Sequence, residues 1–213
     1  MQCLRDLAKA ARYHPPYRDL HAAEALLSPP RMIVAGWAAQ YCMLPDGQRQ
    51  IISLRLPGDL AGPPRRSHMP ASCAVAALTE LETVSAQLLV EAADAADPIH
   101  PGLAQAVRAM AHLNDGLLCN QIMRLGRQSA CGRFAHLMLE LYGRLGRVGL
   151  AGDNGFAMPL TQNVLADVLG FSVVHVNRTM QQLRRDGLLD VRDGRVHLLQ
   201  TERLQALAGW VMT

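Results

Sequence analysis

Residues 160–199 read LTQNVLADVLGFSVVHVNRTMQQLRRDGLLDVRDGRVHLL, and this stretch decides the fold of the C-terminal part of the chain. Thr161 is a good N-cap, because its hydroxyl can accept from a backbone N–H that the first helical turn leaves without a partner. Leu165, Ala166 and Leu169 then form the apolar face of a short helix. Gly170 stands where that helix must stop in a left-handed conformation, which a side chain would make costly. Ser172 caps a second helix, whose apolar Val176, Met180 and Leu183 fall at i, i+4 and i+7. Small Ala166 lets the two helices approach. A short helix, a tight turn and a second amphipathic helix over about 172–185 predict a helix-turn-helix.

The outward face of the second helix carries His175, Asn177, Arg178, Gln181, Gln182, Arg184 and Arg185, with no acid before Asp186. Such side chains match the donor and acceptor pattern of base edges in a major groove. Leu188–Val191, a turn at Asp193-Gly194, and Arg195–Leu199 predict a β-hairpin, hence a winged helix with Arg195 at the wing. The expected partner is double-stranded DNA. Val173, His175, Asn177 and Arg178 are the expected base readers, and Thr161, Gln162, Arg184, Arg185 and Arg195 the expected phosphate contacts.

Outward from this stretch, the charge is uneven. Residues 1–98 hold nine basic and ten acidic side chains; residues 99–213 hold twelve basic and eight acidic. The basic surplus therefore lies in the half that carries the motif. Upstream, leucine and valine spacing predicts a long helix over 99–126, with Val107, Met110, Leu113 and Leu117 on one stripe, broken by Gly126 and Arg127. Lying between two apparent domains, this helix is expected to be a dimer seam. Ser129 should cap a further helix reaching about Leu145, and the glycine-rich 146–155 reads as a flexible connection.

The first 98 residues read as strands and turns. Met32–Leu44, a turn at Pro45-Asp46-Gly47, Ile51–Leu56, Ser72–Ala77 and Val84–Ala86 suggest a small antiparallel roll. A Pro-rich basic loop runs from Gly62 to Pro70. Leu4–Arg12 and Leu20–Leu27 read better as helices, so the roll is expected to be truncated at its start. The class is α+β, divided into 1–98 (roll), 99–126 (dimerisation helix) and 127–213 (winged helix-turn-helix).

Several motifs together resemble the Crp–Fnr family of bacterial transcription regulators. They are Leu160-Thr161-Gln162, Leu165-Ala166-Asp167, Leu169-Gly170, His175-Val176-Asn177-Arg178-Thr179 and Arg184-Arg185-Asp186-Gly187-Leu188. Ala35-Gly36-Trp37, Leu44–Ile51, Leu56-Pro57-Gly58-Asp59 and Leu125–Ala130 are similar to the family's β-roll and to the junction after its dimer helix. The resemblance implies a cyclic-nucleotide-binding-like sensory roll, a homodimer through the 99–126 helix, a palindromic site, and contact with RNA polymerase. It places the family's recognition-helix arginine on Arg178, with Asn177 beside it. Val174 occupies the position where the family often has a glutamate that accepts from cytosine, so a different half-site is expected; valine can pack on a thymine methyl.

The same resemblance bears on the signal. Cyclic-nucleotide members hold the ligand phosphate with a Gly-Glu pair and a later Arg-Ser or Arg-Thr pair. Here the first pair reads Gly58-Asp59, Pro63 stands where the arginine should be, and Arg66-Ser67 is displaced. A phosphate would lack its charge partner, which argues against that ligand. Cys3 stands alone, against an iron–sulfur cluster. His14, His21, His68, His100 and His112 are paper candidates for a haem ligand but read as ordinary histidines. Cys42, Cys73 and Cys119 read as small buried apolar residues. No cofactor or metal is expected; cyclic nucleotide and haem stay open as alternatives.

No nucleophile with a base, phosphate loop or metal-ligand spacing is present, and Asp46, Asp59 and Glu80 read as turn formers, so an enzyme is not expected. Five cysteines without a CxxC pair, and no apolar run long enough to span a bilayer, fit a cytoplasmic protein outside the membrane. Met1–Tyr17 has no apolar core of a secretory signal. The rival reading is a ligand-, haem- or redox-sensing allosteric module whose C-terminal domain contacts a protein partner. The basic polar face of the second helix argues against it, because protein interfaces are depleted of such charge at their centre.

Overall fold

The structure, a computed structural model, describes residues 11–21, 30–61, 73–94 and 101–209. It divides into two compact units, Met1–Cys119 and Asn120–Thr213.

The first unit holds eight strands among its described residues. They are β1 (Arg12–His14), β2 (Asp19–His21), β3 (Arg31–Ala35), β4 (Ala38–Met43), β5 (Arg49–Arg55), β6 (Leu60–Ala61), β7 (Ala74–Ala77) and β8 (Leu81–Ser85). They form two four-stranded sheets, ordered β1-β8-β3-β6 and β2-β7-β4-β5, with every pairing antiparallel. Ile33, Ala61 and Leu81 from one sheet meet Ala38, Val75 and Ala77 from the other in a single buried cluster. Alternation puts these side chains inward, and the small alanines let the sheets close on each other. This is the expected antiparallel roll.

Its details correct the sequence reading in three places. Met32–Leu44 is not one strand: the chain breaks at Gly36, whose φ of +87° and lack of a side chain are both required. A Cβ there would lie 2.1 Å from the Glu80 carbonyl oxygen. Arg12 and Leu20 belong to strands, not to helices, and β1 and β2 each add an edge strand to a sheet. Short edge strands carry little periodicity, so their pairing is decided by the sheet they join. Residues 4–10 and 22–27, and the Gly62–Pro70 loop, lie outside the described residues. A short helix, α1 (Gln87–Asp94), follows β8.

Turns are held as their residues suggest. Asp46 Oδ1 accepts from the Gln48 N–H at 3.0 Å, and Asp59 Oδ2 accepts from the Leu56 N–H at 2.7 Å. The Asp59 carboxylate thus serves its own turn.

The long helix α2 (Pro101–Arg127) passes through Gly126, which does not break it; Gln128 and Ser129 do. In the second unit follow α3 (Ala130–Arg147), β9 (Ala151–Gly152), β10 (Gly155–Ala157), α4 (Gln162–Leu169), α5 (Val173–Arg185), β11 (Leu189–Arg192), β12 (Arg195–Leu198) and α6 (Thr201–Ala208). Ser129 Oγ accepts from the Gly132 N–H at 3.2 Å, capping α3 as its sequence predicts. Residues 146–155 are more than a connection. β9 and β10 form a hairpin and extend the wing to a four-stranded sheet ordered β11-β12-β10-β9. Gly155 makes that possible, since a Cβ there would meet the Val196 carbonyl at 2.7 Å. The helix α6, which the sequence reading did not include, packs along α3 and buries Leu204 and Ala208. The core of the unit is Phe134, Leu137, Met138, Leu141, Phe156, Leu165, Leu169, Val176 and Leu183, drawn from α3, β10, α4 and α5.

Candidate nucleic-acid interface

The helix-turn-helix forms where local chemistry dictates. Thr161 Oγ1 accepts from the Val164 N–H at 3.3 Å, starting α4. Gly170 ends it at φ +66°, and the N–H groups of Gly170 and Phe171 both turn back to the Ala166 carbonyl. Ser172 Oγ accepts from the His175 N–H at 3.3 Å and starts α5. Val176, Thr179 and Leu183 form the buried face of α5, whereas Met180, expected there, is only half-buried. At 100° per residue Thr179 and Met180 flank the Val176–Leu183 stripe equally, about 50° to either side, and the smaller Thr179 side chain suits close helix packing.

Opposite that stripe, α5 presents an open face. Val174 is 68% exposed, and His175, Arg178, Gln181, Arg184 and Arg185 are exposed too; Val173, Asn177 and Gln182 are half-buried. Arg178 has no ion pair or side-chain hydrogen bond among the described residues, so its guanidinium is available. Asn177 Nδ2 donates to Gln162 Oε1 at 2.8 Å, joining an expected base reader to an expected phosphate contact across the two helices. The His175 ring stacks on Phe171, centroids 4.4 Å apart. Arg185 Nη2 donates to Gln182 Oε1 at 2.8 Å, and Gln182 Nε2 donates to both Asp186 oxygens. Thr161 and Gln162 lie exposed at the start of α4. Arg195 lies exposed in the wing after Asp193 and Gly194, whose φ angles of +51° and +70° make a tight hairpin turn.

Arg184 has a structural tie beyond any phosphate role. Its Nε lies 3.1 Å from Asp190 Oδ1, and Arg192 binds the other oxygen of the same carboxylate. Burial pushes the Asp190 carboxyl up, but the hydrogen bond from Arg192 and the charges of Arg184 and Arg192 hold it below its ordinary value overall. The pairing fixes the start of the wing to the end of α5.

Sequence reasoning missed the support behind this face. Arg133 on α3 donates to the Leu169 carbonyl at 3.2 Å, satisfying the exposed end of α4, and its guanidinium lies 5.1 Å from the Phe171 ring centre. Arg133, Phe171 and His175 thus form one stack that sets the turn. From the last turns of α2, Gln121 Nε2 donates to the Val168 carbonyl at 2.7 Å. Gln121 Oε1 accepts from Arg124, and Arg124 Nη1 pairs with Glu140 Oε2 at 2.7 Å. All three side chains are buried. Gln128 Nε2 donates to the Ala208 carbonyl and lies 2.8 Å from Nδ1 of buried His136. Burial pushes the His136 pKa down to about 4, helped by the charge of Arg124 and opposed by Glu140. The only sequence signal for this network is the set of polar residues Gln121, Arg124 and Gln128 at i, i+3 and i+7, where an apolar stripe would be expected.

Sensor candidates fare unevenly. His14 Nε2 lies 3.0 Å from Thr83 Oγ1, and burial, with the charges of Arg31 and Arg12, pushes its pKa down. His112 is exposed on α2, and His21 lies in β2. Pro63, Arg66, Ser67, His68, His100 and Cys3 fall outside the described residues. Cys119, expected to be buried, is exposed; Cys42, Cys73 and Cys131 are half-buried. Among the described residues no cluster of His, Cys, Asp or Glu is placed to hold a metal ion. Nor is any described helix long and apolar enough to cross a membrane.

Comparison with known proteins agrees with this geometry. Residues 132–207 match the Crp-like helix-turn-helix domain. The nitrogen fixation regulation protein FixK of Bradyrhizobium diazoefficiens is 29% identical over 179 residues, covering 83% of this chain and 72% of FixK. The transcriptional activatory protein AadR of Rhodopseudomonas palustris is 28% identical over 207 residues, covering 95% of this chain and 82% of AadR. The solved structure of FixK2 from Bradyrhizobium japonicum superposes with a TM-score of 0.78 at 25% identity, over 92% of this chain and 96% of that one. Roll, long helix and capped helix-turn-helix are thus shared along nearly the whole chain, and the protein is a DNA-binding transcription regulator whose residues 132–207 form a Crp-like helix-turn-helix domain.

Proposed function

We propose that the protein acts as a homodimer joined along α2, whose two α5 helices enter successive major grooves of a palindromic site about 34 Å apart. The observation that carries this reading is the acid-free outer face of α5 centred on the available Arg178 guanidinium. In it, Arg178 donates to guanine O6 and N7, while Val173, His175 and Asn177 read neighbouring bases. Thr161, Gln162, Arg184, Arg185 and Arg195 contact phosphates and fix the register. Val174, the most exposed apolar side chain of α5, packs on a thymine methyl.

The dimer is supported by apolar side chains that α2 leaves exposed: Leu113 (50%), Leu118, Ile122 (71%) and Met123 (49%). Large apolar groups at this density on one helix belong against a partner surface. Functionally the chain divides into a roll (1–98), a dimerisation helix (99–126) and a DNA-reading domain (127–213). It works in the cytoplasm without an enzymatic step. Relatives named as transcriptional activators, AadR among them, support activation through contact with RNA polymerase. No cyclic nucleotide or haem is required: the Asp59 carboxylate is already engaged by its own turn and His14 by Thr83.

The test is selection of duplexes from a random pool by the purified protein, followed by fluorescence anisotropy at two salt concentrations. A palindrome with two half-sites one helical turn apart is expected. Arg178→Ala should cost about 1–3 kcal/mol per half-site and relax preference at one base pair. If Arg178→Ala keeps the half-site preference intact, the base-reading assignment is wrong.

A further inference from the structure

Cys42 lies near the end of β4 and Cys73 immediately before β7, two strands that pair antiparallel with Tyr41 opposite Ala74. Continuing that register by one residue sets Cys42 opposite Cys73. Opposed residues on neighbouring antiparallel strands have Cα atoms about 4.5–5.5 Å apart. That falls inside the about 4.4–6.8 Å that a disulfide spans. The sulfurs themselves are 2.7 Å apart. Even carbon atoms, smaller than sulfur, keep about 3.5–4.0 Å when not bonded, whereas a disulfide bond is about 2.05 Å. The two sulfurs are therefore already closer than unbonded neighbours. Both residues are half-buried, open to a small reagent and not to a large one.

The surroundings give the two thiols different roles. Burial, with the hydrogen bond and charge of Cys42, pushes the Cys73 pKa up to about 12, while a Gln40 hydrogen bond and the Arg55 charge pull the other way. Cys73 therefore holds its proton, which makes it a poor first nucleophile. Gln40 and Arg55, linked by a hydrogen bond from Arg55 Nη2 to Gln40 Oε1, stand ready to favour a thiolate at Cys73 once Cys42 no longer competes. Read along the chain, these were two unrelated small residues; the strand pairing brings them together.

We propose that Cys42 and Cys73 form a reversible oxidation site, closing to a disulfide under hydrogen peroxide. Cys42 gives up its thiol proton and attacks one peroxide oxygen. The O–O bond breaks, Cys42 becomes a sulfenic acid, and the departing hydroxide takes up the proton as water. The Cys73 sulfur then attacks the Cys42 sulfur, the S–O bond breaks, and hydroxide leaves with the Cys73 proton as a second water. Two thiols have lost two electrons and two protons, and one peroxide has become two waters. In a reducing compartment such a bond is transient and returns to thiols by exchange.

The test uses the full reduced chain treated with hydrogen peroxide, alkylated and weighed. Two of the five cysteines should become closed to alkylation, so the chain should carry three alkyl groups instead of five, and before alkylation it should weigh two hydrogens less than the reduced chain. Trypsin cuts after Arg49 and Arg55 between the two positions, so the non-reduced digest should hold a cross-linked pair of peptides carrying Cys42 and Cys73. Dithiothreitol should release it, and either C42S or C73S should abolish it. Cys42 and Cys73 remaining open to alkylation overturns the proposal. So does their ending as separate sulfinic acids, or linkage only through Cys3, Cys119 or Cys131. The wild-type digest alone decides, whether or not the variants fold.

Discussion

The two units of this chain are built on different kinds of information. In the Asn120–Thr213 unit, α3, α4 and α5 begin at the hydroxyl caps Ser129, Thr161 and Ser172, and α4 and α6 end on left-handed Gly170 and Gly209. In the Met1–Cys119 unit, order comes from pairing across distance. β1 meets β8 and β2 meets β7, joining residues about 55 to 70 positions apart. Local signals survive a reading along the chain; cross-strand pairings do not. A unit of the first kind should therefore fail at its buried polar junctions, and one of the second kind where two strands must approach.

The largest expected effect is at such a junction. Arg124→Ala strips the buried Glu140 of its nearer cation and Gln121 of a donor, leaving Glu140 only Arg144 at 3.6 Å and a long hydrogen bond from Asn120. The expected loss is about 3 kcal/mol, the low end for a broken buried pair because Arg144 remains, read as lost hydrogen-exchange protection throughout 120–209. Arg124→Met combined with Glu140→Leu removes both charges and should cost far less. Should the single and double variants be equally damaging, shape and not charge holds the junction.

In the first unit the counterpart is Gly36→Ala. A side chain there needs left-handed strain at φ +87° and overlaps the Glu80 carbonyl at 2.1 Å. Strain and overlap of about 1–3 kcal/mol each put the expected cost near 3 kcal/mol. Protection should fall in the strands of 30–85 and stay unchanged in 130–209. A loss shared equally by both regions would break the contrast drawn between the units.

Next comes acid. His136 takes its proton near pH 6.5 when unfolded and only at about 4 in the folded unit. Its depressed pKa means that its contribution is fully present above pH 6.5 and is lost as pH falls towards 4. The difference amounts to about 3 kcal/mol at most, reached only at the acid end. Stability of 120–209 measured from pH 7 to 4 should therefore fall more steeply in the wild type than in His136→Gln. Parallel curves would mean that the histidine is hydrated, or charged, in the folded state.

How much was legible follows the same division. The caps, Gly170, the α5 face and the β11–β12 hairpin could be read residue by residue, because each depends on neighbours within about four positions. The inward face of α5 was off by one residue, Thr179 standing in for Met180, since the two flank the Val176–Leu183 stripe at equal angles and only the packed neighbours choose between them. What stayed hidden was held by distant partners: the β9–β10 hairpin that needs Gly155 against Val196, the Arg133–Phe171–His175 stack, and Gln121 reaching Val168. In the roll, β1 and β2 were hidden for the same reason, and Arg31 with them: it is buried, donating to the Thr83 hydroxyl and carbonyl. No local rule places an arginine inside a sheet.

The smallest expected effect tests whether local signals carry energy as well as legibility. Ser172 Oγ accepts from the His175 N–H at 3.3 Å, near the long end of hydrogen bonding, so the bond is weak and partly replaceable by water. Ser172→Ala should cost about 1 kcal/mol, and Ser172→Gly only a few tenths, because glycine leaves the N–H open to solvent and relaxes the cap backbone. Both should raise exchange in 173–177, at the N-terminal end of the recognition helix, without touching α3. DNA affinity should follow the same order, since the side chains of Val173, His175 and Asn177 can read bases only from a formed first turn. If alanine and glycine cost alike, or neither costs anything, then packing of Val176 and Leu183 alone holds α5 in place. The serine would then be a marker of the helix start rather than a cause of it.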